Sequence, residues 1–173
     1  NGVQGPTTVV PARPELTGPV RLLQVGRLSD RKGVDVAVAA VAALRERGVD
    51  AVLSLVGGVF PGYEDYEAGL RRQVAELGLD DRVRFLGFIP QAWGPLAESD
   101  IVLVPSRVDE PFGNTAVEAV LGARPVIVSR VGGLPEAVDG FRSAQTVTLG
   151  DPDAIAEAVV RVVSDWETFR RTA

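Results

Sequence analysis

Two stretches of this chain gather residues suited to holding an anion and a set of hydroxyls. The first is Glu110-Pro111-Phe112-Gly113-Asn114-Thr115, with a second glutamate, Glu118, close behind. An apolar run from Ile101 to Val104 ends just before it, and Ala116, Val117, Ala119, Val120 and Leu121 follow at helical spacing. The pattern predicts strand, turn and helix, with the helix opening at Gly113-Asn114-Thr115. A helix start presents free backbone N–H groups and the positive end of the helix dipole, which suits a phosphate. Gly113 has no side chain to obstruct an approaching anion. Glu118 falls about one turn into the helix, where its carboxylate can accept hydrogen bonds from sugar hydroxyls. Glu110, on the loop before the helix, points into the same mouth. The dipole favours an ionised Glu118, hence an acceptor rather than a general acid. A carboxylate pair is also the signature of glycosidase chemistry, but the intervening Pro-Phe-Gly-Asn, aimed at a helix start, favours ligand binding.

The second stretch is Gly26-Arg27-Leu28-Ser29-Asp30-Arg31-Lys32-Gly33. Lys32 is the only lysine among 18 basic residues, which suggests a position that needs a compact point charge rather than a planar fork. Arg27 and Lys32 together can clamp a diphosphate and neutralise charge that departs with it. The loop is not a Walker loop, and G-x-G-x-x-G, the mark of dinucleotide oxidoreductases, is missing. Phe88 and Ile89 follow a strand and can meet a base by stacking or through backbone groups; a core-edge aromatic is an equal reading. Gly132-Gly133 either lets a substrate approach or makes a turn. Asp151-Pro152-Asp153 resembles a metal-binding D-x-D, but an N-cap followed by proline at the first helical position accounts for it.

The elements that must position these residues alternate. Arg21 to Val25, Ala51 to Val56, Val83 to Leu86, Ile101 to Val104, Pro125 to Ser129 and Gln145 to Leu149 read as strands. Helical patterns begin at Val34, span 63–77 and 91–98, follow Thr115, and run from Pro152 toward Phe169, where the last helix bends or continues. The strands are apolar runs rather than alternating ones, the mark of a parallel sheet covered on both faces. The expected fold is therefore α/β, a Rossmann-like parallel sheet of about six strands flanked by helices on both faces. Both basic residues and the glycine-led helix start then lie at the strands' C-terminal edge, where ligands of such sheets gather. Residues 1–19, with four prolines and three glycines, read as a linker or lead-in to a domain at 20–173.

Composition narrows the chemistry. The 173 residues are 46% apolar, enough for one domain with a substantial core. There is no Cys and no His, so disulfides, thiolate chemistry and histidine general-base catalysis are excluded within this chain. A net charge of −5 argues against nucleic acid as a partner, and no apolar run is long enough to cross a membrane. These features fit a reducing, cytoplasmic setting. The chain begins at Asn1 and contains no Met, which reads as a processed or excised piece.

GRLSDRKG, EPFGNTAVEA and RPVIVSRVGGLPEAV, in this order and spacing, resemble the C-terminal half of the family 4 retaining glycosyltransferases of GT-B architecture, from about residue 20 to 165. The resemblance implies a Rossmann-like, metal-independent, nucleotide-sugar-binding domain that needs no cofactor besides a nucleoside diphosphate sugar donor. It implies that Arg27 and Lys32 hold the diphosphate and that backbone N–H groups around Phe112, Gly113, Asn114 and Thr115 meet phosphates and sugar. It further implies that Glu118 binds the ribose, Glu110 the transferred hexose, and the loop near Phe88 the base. In such enzymes a separate N-terminal domain holds the acceptor, whether glycan, lipid or small molecule, and would make any peripheral membrane contact. The chain by itself is then expected to be inactive. Two other readings fit the same residues: a non-catalytic nucleotide-sugar-binding module, and a sugar-nucleotide epimerase of the same two-domain plan.

Overall fold

The computed structural model describes residues 3–108 and 110–173. Six strands form one sheet: β1 (Val20–Val25), β2 (Ala51–Val56), β3 (Val83–Gly87), β4 (Ile101–Val104), β5 (Val126–Ser129) and β6 (Ala144–Val147). All neighbours pair in parallel, in the order β3-β2-β1-β4-β5-β6. Between them run helices α1 (Val34–Glu46), α2 (Glu64–Glu76), α3 (Trp93–Glu98), α4 (Asn114–Leu121) and α5 (Leu134–Ala137). Helices α6 (Pro152–Ser164) and α7 (Trp166–Thr172) complete the chain. The Rossmann-like parallel sheet expected from the apolar runs is the fold observed.

Alternation along the strands divides the core in two. Leu22, Leu53, Leu55, Ile101, Leu103 and Ile127 pack on one face against α1, α2 and α6. Leu23, Val56, Val102, Val104, Val126 and Val128 pack on the other against α3, α4 and α5. In β4 both residue sets are buried, so its sequence Ile-Val-Leu-Val has no polar alternate. Helix α1 is apolar around most of its circumference, because the sheet lies on one side and α6 and α2 on others. Each fully buried Leu or Ile contributes about 1.5–3 kcal/mol relative to exposure.

Three features go beyond the sequence reading. Helix α5 has only four residues, too few to show a period, and it sits where only a Gly-Gly turn is expected. The terminal helical pattern breaks at Asp165, so that α7 swings Trp166 back over the chain. The lead-in, although free of helix and strand, is tied to the domain. Arg13 makes a two-pronged contact to the buried Asp100 at 2.7 and 2.6 Å. Trp166 Nε1 donates to Arg13 O at 3.0 Å, and Arg124 Nη1 donates to Val10 O at 2.8 Å. These ties lie at the N-terminal end of β4, the edge opposite the basic loop.

Candidate functional site

Sequence order reverses across the sheet between β1 and β4: the chain leaves β1 toward β2 and leaves β4 toward β5. A crevice opens at their C-terminal ends, the place where open α/β sheets bind ligands. Its cavity is about 350 Å³ and is lined by Arg27, Lys32, Glu110, Phe112, Gly113, Asn114 and Thr115. Seven of the nine residues singled out by sequence therefore share one cavity.

The loop after β1 is pinned over the end of β4. Gly33 ends a 3₁₀ turn (Asp30–Lys32) at φ 61°, and a Cβ there would lie 2.0 Å from Pro105 O. Only glycine takes this left-handed conformation at such close approach. Arg107 N donates to Arg31 O at 2.8 Å, and Gln24 Nε2 donates to Lys32 O at 2.9 Å. These contacts bring the Lys32 ammonium onto the Glu110 carboxylate, as an ion pair between side chains 28% and 18% exposed. Glu110 Oε1 also accepts from Ser106 Oγ at 3.0 Å. The Glu110 carbonyl accepts from Gly133 N–H at 2.9 Å, so Gly132-Gly133 buttresses the carboxylate loop through the backbone.

Helix α4 starts at Gly113, φ 71°, where a Cβ would stand 2.7 Å from Leu134 Cδ2. No side chain caps this end. Ala116 and Val117 N–H both return to Gly113 O, and among the described residues the N–H groups of Asn114 and Thr115 have no acceptor. Arg27 is exposed and stacks over the Phe60 ring at 4.6 Å. With Lys32 neutralised by Glu110, Arg27 and the helix end give the crevice a positive balance that favours an anion.

Phe88 and Glu118 stand outside this cavity. Phe88, 79% exposed, lines a neighbouring, largely apolar cavity of about 410 Å³ with Phe60 and Ile89, and Gly26 and Arg27 form the boundary between the two. Glu118 sits one turn into α4 on the face of Asn114 and Thr115, half-buried. Burial raises its pKa above the ordinary carboxylate value, opposite to the direction expected from the helix dipole. Four residues from the helix start the dipole has faded, and desolvation dominates. The folded chain therefore binds this proton more tightly than the unfolded one. The residue's stabilising contribution is present below the ordinary carboxylate pKa and is lost as pH rises through the raised value.

The D-x-D segment has local partners. Asp151 Oδ1 accepts from Ala154 N at 3.0 Å as the N-cap of α6, and Asp153 pairs with Arg47 at 2.8 Å. Sequence reasoning overlooked Gln24, Ser106 and Phe60. Gln24 carried a signal, as the one polar residue inside the apolar run Leu22 to Val25; Ser106 and Phe60 carried none.

Residues 19–165 match the family model described as glycosyl transferases group 1. The chain is 39% identical over 154 residues to 2-deoxystreptamine glucosyltransferase of Streptomyces kanamyceticus, covering 88% of this chain and 38% of that protein. It is 39% identical over 147 residues to D-inositol 3-phosphate glycosyltransferase of Corynebacterium glutamicum, covering 83% of this chain and 35% of that one. Among solved structures, Anabaena HepE in complex with UDP and glucose superposes with a TM-score of 0.83 at 30% identity, over 90% of this chain and 41% of HepE. The chain thus spans less than half the length of the relatives it matches.

Proposed function

This chain belongs to the glycosyl transferases group 1 family, and from that premise we propose that it is the donor-binding, C-terminal half of a retaining, metal-independent GT-B glycosyltransferase. The reaction moves a hexosyl group from a nucleoside diphosphate sugar to an acceptor held by a second domain. One observation carries the reading: Arg27, Lys32 and the uncapped start of α4 converge on a single crevice at the switch point of the sheet. HepE, solved with UDP and glucose, supports a nucleoside diphosphate as occupant.

The diphosphate lies against the N–H groups of Asn114 and Thr115. Its charge grows as the glycosidic bond breaks, and Arg27, Lys32 and the helix end meet that growth with dipoles and charges already in place. Phe112 and Gly113 shape the mouth through their backbone. Glu118 receives ribose hydroxyls, and Glu110 receives hydroxyls of the transferred hexose. The apolar cavity at Phe88 receives the base, with backbone and ring contacts rather than charge.

A transfer assay on the protein that carries this domain tests the reading, with the product's anomeric configuration followed by NMR and a chelator present throughout. The expected product keeps the donor's configuration, at a rate the chelator leaves unchanged. An inverted product, or loss of turnover with chelator, contradicts it.

A further inference from the structure

Ser106 follows β4 by two residues and is 1% exposed. Its hydroxyl donates to Glu110 Oε1 at 3.0 Å, and the same oxygen receives the Lys32 ammonium. Both contacts fall on Oε1; among the described residues, Oε2 has no hydrogen-bond partner and belongs to a side chain that lines the crevice. Glu110 is thus held on one edge and offered on the other.

The two anchors differ in kind. Lys32 carries its charge on a flexible stem, 28% exposed, beside the place where a diphosphate is expected. An incoming diphosphate competes with Glu110 for that ammonium. If Lys32 were the only anchor, donor binding would release Glu110 at the moment the sugar needs it. Ser106 is neutral, buried and fixed to the end of a strand, so the phosphate does not compete for it. Its bond remains when Lys32 turns away, and both of these anchors leave Oε2 unengaged.

We propose that Ser106 is the positioning residue that keeps Glu110 in register for the hydroxyls of the transferred sugar while Lys32 changes partner from Glu110 to the diphosphate. This rests on the donor-binding reading above. Ser106 lines the same cavity but is 1% exposed with its hydroxyl committed to Glu110, so its effect is expected in ligands that carry the sugar. The sequence of events is an exchange of ion pairs: Lys32–Glu110 breaks, Lys32–phosphate forms, and the carboxylate freed of its countercharge becomes the stronger acceptor for a hydroxyl.

The test is calorimetric, on the 173-residue chain with UDP, GDP and ADP and the glucose conjugate of each, for wild type, Ser106→Ala, Glu110→Ala and the double variant. The expected result is a nucleoside diphosphate affinity that Ser106→Ala leaves within about twofold. Affinity for the matching sugar conjugate falls about tenfold to a hundredfold, the range of a hydrogen bond to a charged group. The double variant is expected to lose no more than Glu110→Ala alone, because Ser106 acts through Glu110. A Ser106→Ala that weakens the nucleotide and its sugar conjugate equally, or losses that add in the double variant, overturns the role of Ser106 and leaves the donor-binding reading intact. A wild-type chain that binds none of the six ligands overturns both. Thermal melting of each variant separates a binding loss from a folding loss, and Ser106→Thr, which keeps the hydroxyl, is expected to recover the sugar-dependent part.

Discussion

Replacing Lys32 or Arg27 by alanine is expected to lower turnover of the protein that carries this domain by about thirty- to a thousandfold. The figure corresponds to about 2–4 kcal/mol of barrier, the size of one lost oxyanion donor in a water-poor site. On the proposed reading these side chains face charge that grows on the leaving diphosphate, and so they act more on the transition state than on the bound donor. Lys32→Ala is expected to be the more damaging of the two. The Lys32 ammonium is half-enclosed and held between Glu110 and the crevice, whereas Arg27 is exposed and stacked on Phe60. Lys32→Arg is expected to recover only part of the rate, since a planar fork on a longer stem does not fit where a compact ammonium meets one carboxylate oxygen. Steady-state kinetics with the donor varied check this, and unchanged kcat in either alanine variant contradicts the clamp.

The second large effect concerns stability at the opposite edge of the sheet. Arg124 is fully buried, and its guanidinium donates to backbone carbonyls rather than to a carboxylate. Nε reaches Leu96 O and Ser99 O at 2.9 and 2.8 Å, and Nη2 reaches Ala97 O at 2.8 Å. Nη1 serves Val10 O, Gly122 O and Ala123 O at 2.8, 3.1 and 2.9 Å. One side chain thereby ties the ends of α3 and α4 to the lead-in and holds Ala123 at φ 52°, a conformation that costs a non-glycine residue about 1–2 kcal/mol. Burial pushes its pKa down, and Asp100 pushes it back up. Arg124→Leu fills much of the volume but abandons those carbonyls. The expected cost is about 3–5 kcal/mol, as for other buried charges whose removal leaves their partners unsatisfied. For a domain of this size that lowers Tm by roughly 10 °C. Arg124→Lys, with three donors, is expected to fall between wild type and Arg124→Leu. Denaturant unfolding checks the order, and a change below about 1 kcal/mol for Arg124→Leu would show that the carbonyls find other partners. Below its melting range the variant is expected to bind nucleotide normally, because the cage and the crevice lie at opposite strand ends.

The sheet was legible because its central strands, β4 and β5 above all, are buried on both faces. Ala51 to Val56 and Ile101 to Val104 are strands over just those residues, since short, largely apolar runs between turn residues admit few other placements. The crevice was legible for a related reason. Arg27, Lys32 and the Gly113-Asn114-Thr115 start all follow strands, and strand ends on one edge of a parallel sheet converge. What remained hidden depends on single contacts between distant residues. Composition marked residues 1–19 as a linker or lead-in but gave no sign that Val10 and Arg13 are held by Arg124, Asp100 and Trp166. Local reasoning about the helix dipole kept Glu118 readily ionised, but desolvation by the packed chain raises its pKa. Ser106 gave no signal, because its role depends on a carboxylate and an ammonium brought to it by two loops.

Titration of the 173-residue chain with UDP, GDP and ADP, in parallel with the Lys32→Ala, Glu118→Ala double variant, tests the central claim most directly. The account predicts that one nucleotide binds, with heat that disappears in the double variant, which both locates the site and identifies the base. Binding that survives in the variant, or no binding by any of the three, contradicts a nucleoside diphosphate site in this crevice.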